Sequence, residues 1–204
     1  MMLRSPRSLA LLVLAMVFAL SSTVLADDSV QTWKVDDSRS SITFTSDAPA
    51  ERIVGTSEEI TGEIRWDPLR PSQARGEISF PVTSMRTGNS LRDRHLAGDD
   101  WLNADENPNV TFRLESMKDV RVARSENRID YRATAVGTIT LNGVEQPSEA
   151  SVEIAVLPER KLARIQPTIT FALADHEITG TQGTVGAEVG RTIDVKGLVY
   201  ATWE

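Results

Sequence analysis

The side chains best equipped for chemistry crowd into one stretch, Arg92-Asp93-Arg94-His95, with Asp99 and Asp100 just beyond it. A guanidinium at Arg92 and an imidazole at His95 can each meet a phosphate, a carboxylate or a quinone carbonyl. The same residues also fit a structural role: Arg92 pairs with an acid and His95 bonds a backbone carbonyl, so that a long loop is pinned. Asp93, His95, Asp99 and Asp100 offer donors to a metal, and His95 beside Asp99 or Asp100 could form an acid–base pair. The rest of the chain gives both of those ideas little help. It has 2 His and no Cys, which removes thiol catalysis, thiolate metal sites and Fe–S clusters. No nucleophile or second histidine lies near His95 in sequence. The expectation is a binding protein, with no catalytic residue, no metal and no cofactor.

Those residues must be carried by something, and the segment that holds them is unlike its surroundings. Ser84 to Asn107 (SMRTGNSLRDRHLAGDDWLNADEN) lacks any alternation and reads as a long loop with one or two helical turns, Asn89 or Ser90 capping the first. On either side the chain alternates apolar and polar residues with period 2, the pattern of half-buried strands. Ile42 and Phe44 alternate; so do Ile60, Gly62, Ile64 and Trp66; Ala74, Gly76, Ile78, Phe80 and Val82; and Val110, Phe112 and Leu114. The second half repeats this through Ile129, Tyr131, Ala133 and Ala135 to Leu141, then Val152, Ile154 and Val156, then Ile165, Ile169, Phe171 and Leu173, and finally Ile193, Val195 and Val199. Asn142-Gly143 between two such runs is a strong signal for a type I′ hairpin, because both residues tolerate positive φ. Eight or nine strands at this spacing predict an all-β fold, an extended antiparallel barrel with one long, partly helical loop.

Residues 1–26 read as a cleaved secretory signal peptide. Arg4 and Arg7 precede the apolar run Leu9 to Leu20, and small residues lead to a cut after Ala26. The run is too short for a bilayer core that needs about 20 residues. Residues 27–204 then form one domain. The 29 Asp+Glu outnumber the 22 Lys+Arg, and removing the leader's two arginines makes the balance more acidic. Such a chain lacks the electrostatic footprint of a nucleic-acid binder, and has no basic stripe for anionic membranes.

In their order these features resemble the YceI-like family of exported lipid-binding proteins. The likeness begins at Trp33-Lys34-Val35-Asp36 and Ser40-Ser41-Ile42-Thr43-Phe44, and continues through Gly62-Glu63-Ile64 and Ser84-Met85-Arg86-Thr87-Gly88-Asn89. Its most specific element is Arg92-Asp93-Arg94-His95-Leu96, followed by Asp100-Trp101-Leu102, Asn107-Pro108-Asn109-Val110-Thr111-Phe112 and the Gly137 to Gly143 hairpin. Where relatives often carry Arg-Asp-Phe-Gly-Ile, this chain has Ala174-Asp175-His176-Glu177-Ile178, keeping only Asp175 and Ile178. The resemblance implies a periplasmic, lipocalin-like, eight-stranded barrel whose interior holds a long apolar lipid, with isoprenoid quinones, polyprenyl phosphates and acyl chains as ligand classes.

A barrel of about eight strands is just wide enough to be packed solid or to hold one ligand. Small residues such as Ala74, Gly76, Ala133, Ala135 and Gly137 on candidate inner faces either leave room for a lipid or fit the taper of a filled core. The candidate lipid-contacting residues are Phe44, Ile78, Phe80, Met85, Leu91, Leu96, Trp101, Leu102, Phe112 and Phe171. Arg92, Asp93 and His95 are placed at a polar mouth or as pins of the loop. The expected partner is the lipid itself, with at most transient membrane contact; monomer and dimer both stay open. An envelope adaptor with a solid barrel, or an enzyme acting on a quinone or lipid head group, are the competing readings.

Overall fold

The period-2 alternation becomes strands, all antiparallel, in a computed structural model that describes residues 29–48, 51–182 and 189–204. The expected signal peptide, residues 1–26, lies outside the described residues. The strands are β1 (Gln31–Val35), β2 (Ser41–Asp47), β3 (Arg52–Ser57), β4 (Thr61–Trp66), β5 (Arg75–Pro81), β6 (Asn109–Ser125), β7 (Arg128–Leu141), β8 (Val144–Leu157), β9 (Leu162–Ala172) and β10 (Thr192–Thr202). One helix, α1 (Ser90–Ala97), lies between β5 and β6. No helix among the described residues is long and apolar enough to cross a membrane.

The sheet runs β1-β4-β5-β6-β7-β8-β9-β10 and closes when β10 returns to β1, so the ring has eight members. The two further strands come from breaks. β10 pairs with β1 through Val35–Ala201 and Lys34–Thr202, then with β2 from Leu198–Ser41 to Ile193–Ser46. Thus β1 and β2 are halves of one strand, separated by a 3₁₀ turn at Asp37–Arg39. Buried Ser40 fixes that break: its hydroxyl donates to the Asp36 carbonyl at 2.7 Å and accepts from the Tyr200 amide at 3.0 Å. β3 and β4 are broken in step, β3 pairing with β2 and β4 with β1.

The breaks make the ends of the barrel different. Where β4 pairs with β5 the wall is continuous, but among the described residues β3 pairs with no strand on its far side. Its one bridge there is Thr56 with Arg86, amide to carbonyl at 2.8 Å in both directions. Residues 82–108, with α1, roof this opening. The helix starts where the sequence predicts: the Asn89 side chain accepts from the Leu91 and Arg92 amides at 3.0 and 3.2 Å. The hairpin is likewise as predicted, with φ of 52° at Asn142 and 73° at Gly143.

At the continuous end, aromatic rings fill the barrel. Trp33 stacks on Trp66 at 4.7 Å and on Trp203 at 5.2 Å, while Tyr131 meets Trp66 edge-on at 4.9 Å. Trp33, Trp66 and Tyr131 are all 2 % exposed or less. Small residues surround them, Ala163 and Ala201 among others, so the rings have space. Trp66→Ala should destabilise the protein by about 3–5 kcal/mol, because it removes a large buried ring that its neighbours cannot replace. Denaturant unfolding would measure this, and Val54→Ala on the exposed wall should cost less than about 1 kcal/mol.

Candidate functional site

Above the ring plug the inward side chains no longer meet, and a cavity of about 420 Å³ runs up to the roofed opening. That is within the range of small-molecule sites, about 300–1,000 Å³. Its wall is aliphatic and aromatic: Ile139 and Ala135 on β7, Val152 on β8, Ile169 on β9, and Ile193 and Val199 on β10. Met117 reaches it from β6 although Val110, Phe112 and Leu114 set the other parity. A register shift between Leu114 and Ser116 inserts the extra residue that makes both possible. Phe44 lies over Gly55 on the neighbouring strand, where a Cβ would sit only 2.1 Å from its ring.

Phe44, Ile78, Phe80, Met85, Leu91, Leu96, Trp101, Leu102, Phe112 and Phe171 all line this cavity. They come from two sources. Phe44, Ile78, Phe80, Phe112 and Phe171 point in from strands, whereas Met85, Leu91, Leu96, Trp101 and Leu102 come from the roof. Leu91 is 51 % exposed, so it stands at the rim and not in the interior.

The polar residues separate into two groups. Arg92 and His95 line the cavity mouth, three residues apart on α1. Arg92 Nη2 donates to both carboxylate oxygens of Glu51, at 2.8 and 3.0 Å, and so ties α1 to the start of β3 across the opening. His95 makes no side-chain hydrogen bond among the described residues, so the carbonyl bond considered from sequence is not made. Asp93 turns away from the cavity and accepts from the Thr87 amide at 2.8 Å and its hydroxyl at 2.6 Å. It is a pin of the roof. Asp93, His95, Asp99 and Asp100 do not converge; among the described residues no three His, Cys, Asp or Glu side chains are placed to hold an ion. Glu51 is the mouth residue that sequence reasoning missed. It is 41 positions from its partner and has no motif around it.

Behind the wall lies the segment where the chain departs from the family pattern. His176 is fully buried, edge-on to the cavity residue Phe171 at 5.4 Å, and its Nδ1 donates to the Val144 carbonyl at 3.2 Å. It fills the position of the family's aromatic. Asn142 and Gln146 donate to the His176 and Asp175 carbonyls, which fastens this turn to the β7–β8 hairpin. Glu177, where relatives often carry glycine, adopts the left-handed conformation, φ 55°. Burial holds the His176 imidazole below its usual pKa; the Val144 carbonyl, Asp175 and the Leu141 carbonyl oppose this less strongly.

The model of the YceI-like domain matches residues 33–199. A UPF0312 protein of Pectobacterium carotovorum is 27 % identical over 150 residues, covering 72 % of this chain and 73 % of its own. Protein YceI of Shigella flexneri is 26 % identical over 150 residues, covering 72 % and 74 %. Among solved structures, BcnA of Burkholderia cenocepacia superposes with a TM-score of 0.67 at 17 % identity, over 82 % of this chain and 99 % of that one. A polyisoprenoid binding domain from Saccharophagus degradans, implicated in plant cell wall breakdown, gives 0.67 at 13 % identity, over 84 % and 98 %. At these identities the structural matches speak to the fold: a closed, eight-stranded antiparallel barrel.

The two polar groups should respond differently to substitution. Asp93→Ala should cost about 1–2 kcal/mol by leaving the Thr87 amide without its charged acceptor, and Arg92→Gln less than about 1 kcal/mol because its ion pair is part-exposed. Thermal unfolding of both variants checks this. His176 sets a pH dependence. Below pH 6.5 the unfolded chain takes up a proton that the buried imidazole resists, so acidification from neutral favours unfolding. The wild-type Tm should therefore fall more steeply from pH 7 to pH 5 than that of His176→Phe.

Proposed function

The chain belongs to the YceI-like family, and from that premise we propose that it carries one long apolar lipid in the periplasm, with the tail inside the barrel and the head group at the α1 mouth. The observation that carries this reading is the apolar cavity that continues from the ring plug to Arg92 and His95. Burying each CH₂ contributes roughly 0.8 kcal/mol, so such a wall favours the tail whatever the head group is. One structural neighbour is a polyisoprenoid binding domain, which supports an isoprenoid-type tail here. The leader at residues 1–26 supports export.

At the mouth, Arg92 and His95 can donate to a phosphate, a carboxylate or a quinone carbonyl. The Arg92–Glu51 pair is part-exposed and contributes little, so exchanging Glu51 for a ligand oxygen costs little. Binding suits this mouth better than catalysis, since among the described residues no acid pairs with His95 to hold it as a base. The test is native mass spectrometry of the protein purified from its own host. A one-to-one adduct with the mass of an isoprenoid or acyl lipid is expected. A bare mass that persists after incubation with quinones, polyprenyl lipids and fatty acids would contradict the proposal.

A further inference from the structure

The cavity ends abruptly, and the ending has a chemical consequence. On β7 its wall stops at Ala135, on β8 at Ile154, on β9 at Ile165 and on β10 at Val199. The next residues of the same parity, Ala133, Ala163 and Ala201, belong to the packing around Trp33, Trp66, Tyr131 and Trp203. Small residues form the ring around the plug, and the stacked rings occupy the barrel below the cavity. A tail entering at α1 therefore meets a floor.

The strand-walled part of the cavity, below the roof residues that also line it, sets how much tail lies in line between the plug and the roof. Ile193 to Val199 on β10 spans about 20 Å of strand at about 3.3 Å per residue. A strand tilt of about 40° reduces this to about 15 Å along the barrel axis. An extended hydrocarbon advances about 1.25 Å per bond, as the backbone does in covering 3.8 Å with three bonds. Between about 12 and 16 carbons then lie in line, which is about three or four isoprene units.

We infer that the stacked plug of Trp33, Trp66, Trp203 and Tyr131 is a length ruler: the barrel takes a tail of about 16 in-line carbons at most, and the rest of a longer tail stays outside the mouth. This rests on the carrier reading and names the tail that it selects. Ala135 and Ala150 face each other across β7 and β8, and both line the lower part of the cavity, above Val152 and Ile154 on β8. A larger side chain at Ala150 would grow into open space and raise the floor.

The test is a competition-binding series of straight-chain carboxylic acids from about 10 to about 22 carbons. Affinity should rise about fourfold per carbon until the floor is reached and then level off near about 16 carbons. In Ala150→Leu the break should come about two to three carbons earlier. A rise that continues to the longest acid, as a tail doubling back on itself would give, overturns the ruler and leaves the carrier reading standing. So does an unmoved break in Ala150→Leu; if that variant does not fold, the wild-type series decides alone. Absence of binding at every length overturns the ruler, and the carrier reading falls with it when quinones and polyprenyl lipids also leave the mass bare.

Discussion

Two register pairs, Val35 with Ala201 and Lys34 with Thr202, turn the sheet from an open ribbon into a ring. Buried amides and carbonyls must find partners, and an open sheet would leave β1 and β10 with unpaired edges. Closing them on each other over only two pairs is possible because the first strand breaks at Asp37–Arg39 and continues as β2 along the rest of β10. The break is held by Ser40, whose hydroxyl bonds the backbone on both sides of it. β3 and β4 follow the same division, and the opening between β3 and β5 results from it. The mouth is therefore a product of how the ring closes.

The same geometry assigns different work to the two ends. Four rings occupy the continuous end and provide the packing density that a small barrel needs to stay folded. At the splayed end no strand is available, and a 27-residue connection, 82–108, covers the gap with Met85, Leu96, Trp101 and Leu102 turned inward. Asp93 and Asn89 spend their polar groups on holding that cover in shape. Arg92 and His95 stay at the mouth, with Glu51 as Arg92's partner. The division between pinning residues and mouth residues runs through the middle of the Arg92-Asp93-Arg94-His95 motif.

Much of this was legible beforehand, because it is local. Alternation marks which residues share a face, Asn142-Gly143 dictates its turn through backbone conformation alone, and Asn89 caps the helix two residues away. The apolar candidates were found for the same reason, since a period-2 face or an apolar residue in a polar loop has few places to go. What escaped the sequence depends on distance or on a single inserted residue. Glu51 meets Arg92 only after the barrel closes, and Met117 faces inward only because β6 shifts register before Ser116. Sequence left Asp93 open between mouth and pin; in the fold it accepts from Thr87 within the roof, a contact that forms only once that loop turns back on itself. The Ala174–Ile178 departure could be seen but not interpreted until His176 was found buried beside Phe171.

A lipid tunnel above the rings and a core waiting to be packed differ in what the native protein holds there. A crystal structure of the protein isolated from its own host tests this most directly. For a lipid tunnel, continuous elongated density runs from Trp66 past Ala150, Ile139 and Phe112 to Leu91. Phe112, Ile139 and Ile169 collapsed against one another, with the space above the plug closed, would contradict it.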